Sequence, residues 1–378
     1  MSDYSISKIY PGDRFANSQI QKLLQEEGIR RDPNLDYTCG MYDDDMNIIA
    51  TGSLFGNTLR CMAVSHLHQG EGLMNEIVTH LIETQFECGN THLFLYTKCS
   101  TAKFFRDLGF SEIARVSDQL VFMENKKTGF SDYLKKLQKE SNHDSISGSF
   151  ISSTDTSAKS VVSSADCSET PKVPKNIAAL VMNANPFTNG HLYLVEKAAA
   201  ENDILHLFMV SEDASLVPYS VRKQLIMEAT SHLPNICYHD SGPYIISNAT
   251  FPSYFQKDES SVITGHALLD LTIFQAIAKA LHINRRYVGE EPTSQVTGIY
   301  NNIMAEELPK SDIECIIVPR LEFNGTPVSA STVRQAIHDG KIEDIIPLVP
   351  ETTYNFFKSP KASEIIKRIQ EYENVIHY

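Results

Sequence analysis

A chain of 378 residues, 42% of them hydrophobic, is long enough for two or three domains with real cores. Its formal net charge of -14 argues against a nonspecific nucleic-acid binder. No run of about 18 uncharged apolar residues exists to span a bilayer. The N-terminus (Met1-Ser2-Asp3-Tyr4-Ser5) lacks a basic region followed by an apolar run, so no signal peptide is expected. Cys39, Cys61, Cys88, Cys99, Cys167, Cys237 and Cys315 are scattered and form no CxxC pair. They read as the reduced thiols of a cytoplasmic protein, not as a disulfide frame or a zinc site.

In chain order, the first third predicts helices near 17–27, 71–88 and 100–107. Strand-like runs fall at 36–42, 46–54, 58–64, 92–97 and 119–124. That is an α+β pattern with an antiparallel component. From Ser141 to Ser168 serine dominates, no aromatic follows Phe150, and the apolar residues show no period. The composition predicts a flexible linker; a phosphorylation tract is the alternative reading. The chain therefore divides into a first domain over 1–135, a serine-rich linker over 136–173 and a second domain over 174–378 that ends in helices.

The second domain alternates its signals. Strands are predicted at 177–183, 204–210, 235–239, 261–265, 285–289 and 313–318, and helices at 190–200, 220–231, 267–281, 297–307 and 331–338. A last helix is expected near 362–373, where Ile365, Ile366 and Ile369 share helical spacing. Strands alternating with helices imply a doubly wound parallel sheet with its ligand site at the strand C-termini. After the first of these strands stands Asn183-Ala184-Asn185-Pro186-Phe187-Thr188-Asn189-Gly190-His191. A strand, a tight polar turn and a helix start make a ready anion site, because the first-turn N–H groups are unpaired. Thr188 adds a hydroxyl and His191 an imidazole, and Gly190 is expected to leave room for a phosphate. Thr188 can equally cap the helix.

The segment from Asn185 to His191 resembles the [HT]-x-G-H signature of the nucleotidyltransferase superfamily. Val328-Ser329-Ala330-Ser331-Thr332-Val333-Arg334 resembles that superfamily's ISSTxxR box. Three further segments narrow the likeness: Val210 to Arg222, Arg286 to Pro292, and Val296 to Asn301 are similar to the [citrate (pro-3S)-lyase] ligase family, also called citrate lyase synthetase. In that family an acetyltransferase-like domain precedes the nucleotidyltransferase domain. The first domain agrees. Val64 to Leu73 resembles motif A of the GNAT acetyltransferases through Gln69 and Gly72, with Met74 at the last small position. Ala102 to Phe110 resembles a later GNAT box.

The resemblance implies an α/β protein: a GNAT-like α+β domain followed by a Rossmann-like, doubly wound parallel-sheet nucleotidyltransferase domain. It implies an AMP-forming acid–thiol ligase that uses ATP and Mg²⁺ to activate acetate as acetyl-AMP. The acetyl group would pass to the prosthetic-group thiol of the citrate lyase acyl-carrier subunit, with no nucleic acid or membrane involved. His191, Thr188 and Arg334 are the expected catalytic residues. Asn185, Phe187, Gly190, Arg222, Gly289, Glu290, Ser329, Ser331 and Thr332 are the expected nucleotide-binding residues. Gln69 and Gly72 are expected to hold the coenzyme-A-like arm. Arg222 can instead be a surface ion pair, Glu290 a solvated loop residue, and His266 structural or substrate-facing. Two other readings stay open: an active N-acetyltransferase fused to a coenzyme adenylyltransferase, and a non-enzymatic ATP sensor.

Overall fold

The computed structural model describes residues 4–32, 35–147, 175–211, 215–245, 259–290, 295–372 and 375. Its contacts group into two compact units, one of Met1–Asp132 with Asn248–Ile273 and one of Tyr133–Ser247 with Phe274–Tyr378.

The first unit runs β1 (Ser5–Lys8), α1 (Arg14–Glu26), β2 (Tyr37–Tyr42), β3 (Ile48–Phe55), β4 (Thr58–Val64), α2 (Leu73–Glu87), β5 (Phe94–Thr97), α3 (Ala102–Asp107), β6 (Ser111–Val116) and β7 (Leu120–Glu124). Its seven strands lie in the order β1-β2-β3-β4-β5-β7-β6. Every pairing is antiparallel except β4 with β5, which meet in parallel only at Thr58↔Phe94 and Leu59↔Leu95. The expected α+β architecture is therefore present. Helix α2 lies close on the sheet because Gly52 has no side chain. A Cβ there would come within 2.6 Å of Ile77 and 2.8 Å of Leu81. Two strands had no clear sequence signal. β1 is only four residues long, and β6 carries Glu112 and Arg115 on an outer strand.

The second unit begins inside α4 (Gly129–Ser147). That helix corrects the expected linker over 136–147, and the remainder, 148–173, lies outside the described residues. Polar composition disguised it, but its apolar positions have something to cover. Leu137 is buried, and Tyr133 stacks against Tyr244 with ring centroids 4.8 Å apart. Then follow β8 (Ile177–Met182), α5 (Asn189–Ala200), β9 (Ile204–Met209), α6 (Tyr219–Ala229), β10 (Ile236–Asp240), α7 (Glu259–Leu281, grouped with this unit from Phe274 on), β11 (Arg285–Gly289), α8 (Gln295–Glu307) and β12 (Glu314–Val318). A small hairpin of β13 (Glu322–Phe323) and β14 (Thr326–Pro327) precedes α9 (Ala330–His338), α10 (Glu351–Lys358) and α11 (Ser363–Gln370).

Five strands form one wholly parallel sheet in the order β10-β9-β8-β11-β12. The sheet is doubly wound, and its strand order reverses between β8 and β11, where such folds open a crevice. The strand expected at 261–265 is wrong: those residues belong to α7. The β-branched run Val262-Ile263-Thr264 favours a strand locally. It leads straight into a segment whose Leu271, Phe274 and Ile277 are buried on a helical period, and helix propagation overrides a few residues of β preference. Helix α10 had no expectation, and α11 matches the expected last helix with Ile365 and Ile369 buried. Among the described residues, no helix is long and apolar enough to cross a membrane.

One buried polar relay ties α4 to this sheet. Glu140 on α4 lies 3.2 Å from His239 Nδ1, and His239 Nε2 lies 3.0 Å from His206 Nδ1. Glu140 accepts, so His239 donates from Nδ1 and accepts at Nε2 a hydrogen bond from the N–H at His206 Nδ1. Both imidazoles are neutral in this arrangement. Burial pushes His206 down to about 3 and His239 down to about 4, the latter against Asp240 and with help from Lys136. The unfolded chain takes up these protons below about 6.5, and the folded chain resists until about 4. Stability is thus expected to be full above that upper value. It should fall by up to about 1.4 kcal/mol per pH unit per proton as pH drops through the window, then level off. Denaturant midpoints at pH 7.5, 6 and 5, compared with His206→Leu, measure this. A slope identical in the variant would remove the pair as its source.

Candidate active site at the ends of two parallel strands

The turn after β8 is held from both sides by buried arginines. Arg222 on α6 donates from Nε to Val217 O (2.9 Å). Its terminal nitrogen donates to Asn183 O (2.9 Å), Asn183 Oδ1 (2.7 Å) and Val210 O (2.7 Å). Arg334 on α9 donates to Asn185 O and to Val375 O, both at 2.6 Å. Between the two anchored residues Ala184 adopts φ 50, a left-handed conformation uncommon for a residue with a Cβ, and the Asn185–Pro186 peptide is cis. Burial lowers Arg334 to about 10, so it stays charged at neutral pH. These contacts revise two expectations. Arg222 is 1% exposed and Arg334 4%, and each spends its guanidinium on main-chain carbonyls. Both are loop clamps before they are anything else. A planar fork of donors suits several carbonyls converging in a core, a role invisible to motif spacing.

The helix that follows starts with a reciprocal cap. Thr188 Oγ1 accepts from His191 N at 3.3 Å, and His191 Nδ1 accepts from Thr188 N at 3.0 Å. Because a backbone N–H can only donate, Nδ1 is unprotonated and the proton sits on Nε2. Phe187 is buried and stacks on the imidazole with centroids 5.7 Å apart. Desolvation first, and the Arg320 guanidinium second, push His191 down to about 4. The ring is therefore a neutral donor at physiological pH, aimed by its own cap.

Gly190 has a different reason from the one expected. A Cβ built on it would lie 3.1 Å from Val328 O, so the space is filled by the chain leading into α9 and not left for a phosphate. This close approach, with the Arg334 bond to Asn185 O, brings the two separated boxes together. Ser329 caps α9 by accepting from Thr332 N at 3.1 Å. Its hydroxyl also lies 2.9 Å from Ser331 Oγ and 2.8 Å from Thr332 Oγ1. Two helix N-termini, each dressed with hydroxyls, thus meet beyond the C-terminal end of β8. Asn185 carries a further clue. Its Oδ1 accepts from Val217 N at 3.0 Å, but its buried Nδ2 has no acceptor among the described residues. A buried donor without an acceptor is costly unless a ligand meets it.

Gly289 ends β11, and its carbonyl accepts from Asn301 Nδ2 at 3.1 Å. Glu290 follows it with an exposed side chain, while its amide donates to Val318 O and its carbonyl accepts from Arg320 Nε at 3.0 Å. Its expected sugar contact remains geometrically open. Arg320 itself had escaped notice. A cation two positions after a parallel strand, on so acidic a chain, was the available signal.

In the other unit the expected arm-binding turn is exposed. Gly70 and Gly72 take φ 95 and φ 86, and Gly72 precedes α2. Gln69 spends its amide on Glu27 Oε2 at 3.3 Å, and Glu27 Oε1 accepts from His66 N at 2.9 Å. The turn has the glycines of a phosphate cradle, but Gln69 is occupied by a carboxylate.

The family profile described as Citrate lyase ligase C-terminal domain matches residues 177–357, the span that holds both the Asn185–His191 turn and the start of α9. A [Citrate [pro-3S]-lyase] ligase from Escherichia coli (strain K12) is 36% identical over 349 residues, 90% of each chain. The chain belongs to the [citrate [pro-3S]-lyase] ligase family. Members from Haemophilus influenzae and Klebsiella pneumoniae are 34% and 35% identical, each over 95% of its own length. As a member of this family the chain is an enzyme, a ligase. Solved structures that align with part of it include Escherichia coli ElaA (13% identity, TM-score 0.29, 33% of this chain and 100% of that one). A GNAT-family acetyltransferase from Staphylococcus aureus gives 16% identity and TM-score 0.28, with 32% of this chain and 99% of that one covered.

Proposed function

We propose that this ligase activates acetate with ATP, forming acetyl-AMP and pyrophosphate, and then acetylates the prosthetic-group thiol of the citrate lyase acyl-carrier subunit. The observation that carries the reading is the meeting of the Asn185–His191 turn with the start of α9, held by Arg334 and by Gly190 against Val328. In the first step a carboxylate oxygen bonds to the α-phosphorus of ATP. The bond to the bridging oxygen breaks, and its electron pair leaves with pyrophosphate. In the second step the thiolate sulfur bonds to the acetyl carbon, the carbon–oxygen bond to AMP breaks, and the thiol proton goes to solvent or base.

Neither step needs a protein nucleophile, so the chain's task is to align groups and stabilise charge. His191 donates from Nε2 to phosphoryl oxygen. The buried Asn185 Nδ2 supplies a second donor, and the hydroxyls of Ser329, Ser331 and Thr332 grip the outer phosphates. Thr188 acts through His191, as the cap that orients it. Magnesium carried on the nucleotide would lower the charge of the departing pyrophosphate, beside the hydroxyls of Ser329, Ser331 and Thr332, and would call for few protein ligands.

The first unit is assigned to positioning the coenzyme-A-like arm, through the glycine turn at Gly70 and Gly72. The test has two parts. Isotope exchange between pyrophosphate and ATP, run with a panel of small carboxylates, should depend on acetate. A chain lacking residues 1–128 should keep that exchange, which also reports that it folds, and lose acetyl delivery to the carrier. Exchange that needs a phosphorylated acceptor in place of acetate would favour an adenylyltransferase and defeat the reading. Undiminished delivery by the truncated chain would defeat the role of the first unit.

A further inference from the structure

The turn from Asn185 to His191 is tied down at both ends, and one of its ties has no role yet. Asn189 opens α5, where a first-turn N–H ordinarily finds no partner inside the helix. Here that N–H donates to Leu348 O at 2.9 Å. The Asn189 side chain donates as well, from Nδ2 to Pro347 O at 3.0 Å, across 158 positions of sequence. Any residue but proline could make the first bond, but the second needs a side-chain donor of the right length.

The two acceptors sit on a firm mount. They follow a 3-10 helix over Ile342–Ile345, and Leu348 N and Val349 N both donate back to Ile345 O, at 2.8 and 3.2 Å. Ile345 and Val349 are buried in one apolar cluster with Val333 of α9, Phe357 of α10 and Ile369 of α11. Val217 belongs to the same cluster, and its N–H donates to Asn185 Oδ1 at 3.0 Å. Arg334 of α9 holds Asn185 O at 2.6 Å. The turn and the helix that follows it are thus fixed, at Asn185 and at Asn189, to a single body built around α9.

Resting on the function proposed above, we infer that Asn189 is a positioning residue for the adenylation step: by pinning the first turn of α5 to Pro347 and Leu348, it sets where the His191 imidazole stands against the α-phosphate. The Thr188 cap fixes the ring relative to the start of α5. The Asn189 bonds fix that start relative to α9, whose hydroxyls grip the outer phosphates in the proposed reaction. Gly190 only permits the approach of Val328, whereas Asn189 supplies bonds that hold the two sides together. Such registration matters because a displacement of about 1 Å at a reacting centre can cost on the order of a hundredfold in rate.

The test is a double-mutant cycle on the intact chain, read by acetate-dependent pyrophosphate–ATP exchange. Asn189→Ala keeps the main-chain bond to Leu348 O, so the chain should fold, which urea unfolding checks. N189A should lower exchange turnover about 10- to 100-fold, while calorimetric affinity for Mg²⁺·ATP changes less than about 3-fold, because the outer phosphates are gripped from α9. In a His191→Ala background the same substitution should lower turnover by less than about a further 3-fold, since no ring is left to place. Asn189→Gln, which keeps the donor on a longer stem, should recover part of the loss, and either variant, if folded, completes the cycle. Parental turnover in N189A overturns the inference. So does the same fold loss with and without His191, or a loss of ATP affinity equal to the loss of turnover, which marks a general structural role. A parent chain without acetate-dependent exchange defeats the function proposed above and this inference with it. A parent chain that exchanges beside an unaffected variant defeats the inference alone.

Discussion

Replacing His191 with alanine is expected to lower acetate-dependent pyrophosphate–ATP exchange by at least on the order of a hundredfold, the scale of losing one preorganised oxyanion donor. The argument runs through its proton. Thr188 N–H occupies Nδ1, so the ring must present N–H from Nε2. Phe187 stacks on one face, and the helix cap holds the ring by its Nδ1 without any substrate present. The donor therefore needs no reorganisation when charge develops on the α-phosphoryl oxygens. The fold should survive, because the cap is worth about 0.5–2 kcal/mol and Thr188 Oγ1 can still accept from the residue 191 amide. Since the ring stays neutral down to about 4, the pH profile of exchange should show no loss traceable to this histidine between pH 8 and 5. A folded His191→Ala enzyme with near-normal exchange would take the imidazole out of the chemistry.

Arg222→Ala is expected to cost stability on a different scale. The guanidinium satisfies the Val217 and Val210 carbonyls inside the core and, towards the surface, the carbonyl and amide oxygens of the exposed Asn183. Removing it leaves the two core carbonyls without this donor, at about 1–3 kcal/mol each, less whatever water can reach. A net loss of at least about 3 kcal/mol follows, in the range of breaking a buried charged network. Exchange activity should fall as well, because Ala184 would lose a clamp that keeps it left-handed and Asn185 would lose its aim. Lysine cannot rescue fully, since one ammonium cannot meet Val217 O, Asn183 O and Val210 O with a planar fork. Urea unfolding decides the matter. A midpoint close to the parent protein's would show that the buried guanidinium is not what holds the turn.

The split between legible and hidden features has physical causes. Parallel core strands such as β8 and β9 are buried on both faces, so they read as short apolar runs, and their positions were evident within a residue or two. The helix start at Thr188 was evident because capping chemistry is local. Local signals misled at 261–265, where β-branched residues sit in α7, and at 136–147, where a polar surface hid α4. At 136–147 the deciding term is a contact with residues distant in sequence, and at 261–265 it is continuity with the buried helix that follows.

The same division runs through the crevice. Residue order alone determined that a hydroxyl-rich turn and a second hydroxyl-rich helix start exist, each on a strand-to-helix junction, because capping and turn formation involve neighbours a few bonds away. Tertiary packing alone decided what the charged residues and the glycine do. Arg222 and Arg334 turned inward to carbonyls, Gly190 made room for Val328, and Arg320, 129 positions from His191 in sequence, came within electrostatic reach of it. A long side chain finds its partner through the fold, so its role follows from where the sheet delivers it.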